Sequence, residues 1–209
     1  MSRANPTRHG EPADSARGCC YGSLDVQLSP EGIAQAHAIA GALASEDLDA
    51  IYTSPLQRCV CTAEVIAAGR GCLVQRISEL RELDFGAFEG RSYVEIARNH
   101  PEMYRQWMEN PAETLFPNGQ SLRAMSERVI NATSELLTRH TGECIAVVTL
   151  GGPARVILGD ALGIRFANLF RIQQDYGAIS RVRYMSGVPT VESMNWPAGS
   201  GKMRASAVE

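Results

Sequence analysis

Apolar residues recur along this chain in two rhythms that alternate. In "SPEGIAQAHAIAGALAS" (29–45), Ile33, Ala36, Ala40 and Leu43 fall on one face at helical spacing. Ser29 stands ahead of them as an N-cap and Pro30 at the first helical position, which predicts an amphipathic helix. "LDAIYT" (48–53) is a short, continuously apolar run and predicts a buried strand. It feeds "SPLQRCVCTAEVIAAG", a second helix opened by Ser54-Pro55 and stopped at Gly69. "CLVQRI" (72–77) predicts another strand. A charged segment then leads to a helix opened by the capping-box pair Ser92 and Glu95 and interrupted at Pro101. From about Ser121, Leu122, Met125, Val129 and Leu136 form one stripe of a long helix. "ECIAVVT" (143–149) predicts a strand, and a further helix follows from Pro153. Near the end, "AISRVRYM" and "TVESMN" flank "SGVP" as a hairpin at a sheet edge.

Strands that are apolar along their whole length and alternate with helices imply a mostly parallel sheet covered on both faces, a three-layer αβα member of the α/β class. At 209 residues one domain suffices, placed at 1–196. "PAGSGKMRASAVE" (197–209) has too little apolar content to order itself and is expected to be a disordered tail. No internal repeat is visible.

The composition narrows the function classes. With 44% hydrophobic and 21% charged residues and no apolar run near membrane-spanning length, nothing suggests a membrane protein. The net charge of -3 comes without a Lys/Arg block, so no nucleic-acid or lipid footprint is expected and any bound anion must be met by a local pocket. The N-terminal stretch lacks the apolar core of a secretory signal and any lipidation motif, which favours the cytoplasm. Six cysteines include no CxxC pair and no His at zinc spacing, so neither a metal nor another cofactor is expected.

Ligands of open α/β sheets settle beyond the carboxyl ends of the strands. Four such places carry chemistry here: Arg8, His9, Gly10 and Glu11; Ser54, Pro55 and Arg58; Glu79, Arg81, Glu82, Asp84 and Gly86; and Leu150, Gly151 and Gly152. Arg58 falls in the first turn of its helix, where its guanidinium and free amide N–H groups suit a phosphate. A neutral imidazole at His9 could attack phosphorus, and a carboxyl group such as Glu82 could protonate the leaving alkoxide. Each residue also has a plainer reading: an exposed Arg-His loop, helix capping, a solvated charged segment. Their shared placement at strand ends favours a joint site.

These residues resemble the motifs of the histidine phosphatase superfamily, also called phosphoglycerate mutase-like. Its RHGE motif is matched by Arg8 to Glu11 and its SPLxRxxxTAE motif by Ser54 to Glu64. Its later segments are matched by "LRELDFGAFEG" (80–90), "PNGQS" (117–121) and "VVTLGG" (147–152), so that the resemblance spans about residues 8–195. It implies a phosphoglycerate mutase-like fold, His9 as the phosphohistidine, Arg8, Arg58 and Gly151 at the phosphoryl oxygens, and Glu82 as proton donor and then base for water, without metal. "CCYGSLDVQLSPEG" (19–32) is most similar to a stretch of bacterial α-ribazole phosphatases, with Tyr21 at the leaving-group side. The chain lacks the longer insertions of the mutases, which favours hydrolysis.

Two positions depart from the pattern. Leu150 stands where the family has a second histidine that donates to the charging phosphoryl group, and a leucine cannot donate. "SRANPT" stands where the family has an aliphatic central strand, and Pro6 cannot donate a ladder hydrogen bond, so His9 is expected to be loosely held. Three functions stay open: a phosphomonoesterase for a small phosphorylated metabolite such as α-ribazole 5'-phosphate, slowed by Leu150; a catalytically inactive phospho-ligand-binding or regulatory protein; and a scaffold reused for acid/base chemistry by Glu82 and His9. Arg81, Tyr104 and Trp107 could border the leaving group, and the edge hairpin could pair two copies as a homodimer.

Overall fold

The computed structural model describes residues 1–16 and 18–200. Strands β1 (Ser2–Arg8), β2 (Ala50–Thr53), β3 (Val74–Arg76), β4 (Cys144–Thr149), β5 (Ala178–Met185) and β6 (Val188–Pro197) form one sheet in the order β3-β2-β4-β1-β5-β6. The pairs β2–β3, β2–β4 and β1–β4 are parallel, while β1–β5 and β5–β6 are antiparallel. The expected mostly parallel sheet and edge hairpin are both present.

Helices α1 (Pro30–Ala42) and α2 (Gln57–Ala67) cover one face over a core of Ile39, Leu43, Ile51, Ile66, Val148 and Ile179. Helices α3 (Tyr93–Asn99), α4 (Pro101–Glu109), α5 (Leu122–Arg139) and α6 (Gly151–Ala161) belong to the other, where Phe88, Ile96, Phe116, Met125, Val129 and Leu158 are buried. The stripe expected on α5 is buried as predicted, and the Ser92–Glu95 capping box closes reciprocally. Pro101 separates α3 from α4 at His100.

Several boundaries and faces differ from the sequence reading. In α1 the buried face runs through Gly32, Ala36, Ile39 and Ala42, and Ile33 is half exposed beside α2. Helix α2 starts at Gln57 behind Leu56, with no side-chain cap, because Ser54 and Pro55 form the turn out of β2. Helix α6 starts at Gly151, so Leu150 becomes its N-cap residue and Pro153 falls in the first turn, where the missing N–H has no intrahelical partner to lose. Pro197 ends β6 and Ala198–Ser200 form a short 3-10 turn; the rest of the expected tail, 201–209, lies outside the described residues.

β1 forms a central strand despite its polar sequence. Asn5 and Thr7 are fully buried; Asn5 Nδ2 donates to Ile145 O at 3.3 Å and Thr7 Oγ1 to Asn5 O at 3.1 Å. The amides of Arg3 and His9 both donate to the β4 side, so the even positions, Pro6 among them, face β5. There the β1–β5 ladder keeps one register from Ala4↔Val182 to Thr7↔Ile179, with no bridge at Asn5 or Pro6, as expected where proline has no donor. Arg3 lies 3.5 Å from both Glu46 and Glu192, Arg181 pairs with Glu46, and Arg183 with Glu192 at 2.7 Å.

Candidate active site

The parallel strands end together, and the residues that follow them surround an inner cavity of about 140 Å³ lined by Arg8, His9, Tyr21, Glu82, Phe85, Tyr93, Leu150 and Gly151. An outer cavity of about 330 Å³ adjoins it, sharing Arg8, Tyr21 and Tyr93 and adding Glu11, Cys19 and Tyr176. Six of the residues expected from the sequence therefore border one space.

His9 is not loosely held. It is 1% exposed, its amide donates to Thr149 O at 3.0 Å, and Gly177 N donates to its carbonyl at 3.0 Å, so the backbone at His9 is tied to β4 and to the turn before β5. Its Nδ1 lies 2.6 Å from Gly10 O. A carbonyl can only accept, so this contact fixes the proton on Nδ1 and leaves the lone pair on Nε2. Burial first, then Arg58 and Arg8, hold the imidazole pKa well below its ordinary value. Near neutral pH His9 is uncharged, with Nε2 available as a nucleophile.

The two arginines are placed differently. Arg8 donates to Gln174 O at 2.5 Å, stacks over Tyr176 at 3.8 Å, and keeps a buried Nε without a partner. Arg58 is fully buried and stands behind the cavity lining. Its terminal nitrogens donate to the carbonyls of Leu24, Tyr21 and Gly22 at 2.7, 3.1 and 2.9 Å, and its Nε is also unpartnered. Arg58 thus fixes the loop that carries Tyr21 while placing positive charge near His9.

Glu82 sits at the start of α6. Its Oε2 accepts from Gly152 N at 2.9 Å and its Oε1 from Leu83 N at 2.9 Å, a carboxylate held at a helix N-terminus. A Cβ on Gly152 would stand 2.0 Å from Glu82 Oε1, so only glycine admits this approach. Arg128 on α5 braces the same loop, donating to the carbonyls of Glu79, Arg81 and Glu82 at 2.6, 2.7 and 2.7 Å.

Leu150 is 1% exposed, packs with the core under α1 and α2, and makes no side-chain cap bond, so the N-terminus of α6 lacks a side-chain donor there. His37, His100 and His140 do not line either cavity. His140 bonds Tyr52 and Glu143, both at 2.6 Å. Among the described residues no group of three or more His, Cys, Asp or Glu is arranged to hold a metal ion.

The chain matches the histidine phosphatase superfamily, branch 1, over residues 7–197. It belongs to that superfamily. Among the histidine phosphatases similar to it, phosphoserine phosphatase 1 of Hydrogenobacter thermophilus is 32% identical over 173 residues, 83% of this chain and 82% of that one. The structure of a phosphoserine phosphatase from Entamoeba histolytica in complex with phosphoserine superposes with a TM-score of 0.82 at 26% identity, covering 93% and 97% of the two chains. The alpha-ribazole phosphatase of Shigella flexneri has the same fold, with a TM-score of 0.88 at 24% identity over 96% of this chain and all of that one. These relatives support phosphomonoester hydrolysis by this histidine phosphatase fold.

Sequence reasoning missed Tyr176, Tyr93 and Phe85. Tyr176 hydrogen-bonds Tyr21 through the two hydroxyls and packs 5.6 Å from the His9 ring. It precedes β5, which runs antiparallel to β1, so the start of β5 lies beside the end of β1, a pairing that the predicted hairpin did not give. Tyr93 arrives because the start of α3 bridges to Cys19, and burial pushes its hydroxyl up to about 12. Arg81 is exposed, and Tyr104 and Trp107 pack in the aromatic cluster around Phe116; these three do not line either cavity.

Proposed function

We propose that this histidine phosphatase hydrolyses a small phosphomonoester through a phosphohistidine on His9. The observation that carries the reading is the buried, neutral His9, held through Nδ1 by Gly10 O beside two arginines and across one cavity from Glu82. Nε2 attacks phosphorus as the P–O bond to the leaving group breaks, and Glu82, entering this step in its acid form, gives its proton to the departing oxygen and becomes the carboxylate. Glu82 then takes a proton from water as water attacks the phosphohistidine, releasing inorganic phosphate and restoring His9. Arg8, the buried charge of Arg58 and the open amide end of α6 at Gly151 stabilise the phosphoryl oxygens.

Leu150 makes this a slow enzyme. Losing one preorganised donor costs about 3–4 kcal/mol, or ~100- to 1,000-fold in rate. The tyrosine-lined outer cavity suits a neutral, ring-bearing leaving group better than an amino acid, which favours a nucleoside-type monophosphate such as α-ribazole 5'-phosphate over phosphoserine. The sequence between Cys19 and Gly32 supports the same choice.

The test is turnover of p-nitrophenyl phosphate, α-ribazole 5'-phosphate and phosphoserine by wild type, His9→Ala and Leu150→His. The reading predicts weak wild-type activity, none in His9→Ala, and about 100-fold or more gained in Leu150→His. Equal inertness of all three contradicts it. The buried apolar Leu150 also favours a second reading, a phospho-ligand binder without turnover, which predicts a phosphate-induced rise in Tm with no hydrolysis in any variant.

A further inference from the structure

Arg155 lies one turn into α6, and its side chain runs back toward the helix start. Its Nε donates to Ile172 O at 2.8 Å, and one terminal nitrogen, Nη1, lies 3.0 Å from where a Cβ on Gly151 would stand. The Arg8 guanidinium carbon lies 3.4 Å from that same point. Two guanidiniums therefore flank one glycine, and that glycine lines the inner cavity. Among the described residues neither arginine forms an ion pair; Glu82 and Asp175 are the acids that act on Arg155 through charge. Burial, then Arg8, pulls the Arg155 pKa down, which marks two like charges crowded together without a bonded counter-ion.

Like charges at such spacing repel unless an anion stands between them. Position 150 supplies no cation, so an anion entering the cavity would meet Arg8 on one side and the N-terminus of α6 below it. The side-chain spacing of four residues brings Arg155 over that same helix end. Gly151 also gains a role beyond offering its amide: a larger residue would crowd the Arg155 nitrogen, 3.0 Å from the point where its Cβ would stand.

We infer that Arg155 is a phosphoryl-binding residue that, together with Arg8, grips the phosphate oxygens above Gly151 and so supplies the charge that Leu150 does not. The inference rests on the phosphatase reading for its substrate, but its test uses inorganic phosphate and needs no turnover. Phosphate affinity is measured by calorimetry on the full chain for wild type, Arg155→Gln, Leu150→His and the double variant. Arg155→Gln is expected to weaken phosphate binding about tenfold or more. In the Leu150→His background the same change should cost markedly less, because imidazole and guanidinium then share one oxygen's charge. On the wild-type chain, phosphate should protect Arg155 from modification by phenylglyoxal, read by peptide mass spectrometry, which tests the contact without any variant.

Unchanged affinity in Arg155→Gln, or no protection of Arg155 by phosphate, overturns the inference. Phosphate binding that depends on Arg155 without hydrolysis upholds it while the catalytic reading fails. Turnover with Arg155-independent binding does the reverse. A wild-type chain that binds no phosphate overturns the inference and leaves the catalytic reading to the turnover assay.

Discussion

At the scale of single residues, His9 is held by its backbone and by one carbonyl, and its pKa is lowered by burial and two arginines. Two expectations follow from the direction of that shift. The acidic limb of the rate profile, where His9 takes up a proton and loses its lone pair, should lie below the usual imidazole range of about 6.5. Stability should also fall on acidification. Below about pH 6.5 the unfolded chain binds a proton at His9 that the folded chain does not, so Tm declines as pH drops from there toward the lowered folded pKa. His9→Asn should flatten that decline, and an unchanged Tm–pH slope contradicts the assignment.

At the scale of elements, the start of α6 organises the acid. Gly152→Ala would put a methyl into Glu82 Oε1, the far end of a flexible side chain, so the fold should survive while the carboxylate is displaced. The expected result is a fall in kcat of about tenfold or more with little change in Tm, measured side by side. Arg128→Met removes three charged donors from the Glu82 loop, and chemical denaturation should show a loss of about 2 kcal/mol. Much of this was legible beforehand. Ser29 and Ser92 cap their helices as their spacing predicts, because capping is a local interaction. Ser54 misled because a tight turn out of β2 claimed it first. The clamp by Arg128 was not legible, since nothing near residue 128 signals contact with carbonyls 46 to 49 positions away.

At the scale of the molecule, the mostly parallel sheet and its covering layers followed from alternating apolar strands and helices, while the strand order came only with the structure. The weak first strand did not loosen the site. A parallel neighbour of aliphatic residues on β4 and the backbone bonds of His9 to Thr149 and Gly177 hold it, and both are tertiary features that the local sequence "SRANPT" does not carry. The strain shows elsewhere: Asn5 Oδ1 is buried without a partner. Asn5→Val should therefore stabilise the protein by about 1 kcal/mol in a denaturant titration, and destabilisation of that size would show that the Asn5 amide contacts matter more than its orphan oxygen.

The central claim is that His9 carries the phosphoryl group. It is tested most directly by quenching the reaction of Leu150→His and wild type with substrate under alkaline conditions, which preserve phosphohistidine, and mapping the adduct by peptide mass spectrometry. The account predicts a phosphoryl group on His9 in both, absent from His9→Ala. Turnover without that adduct, or an adduct on another residue, would contradict it.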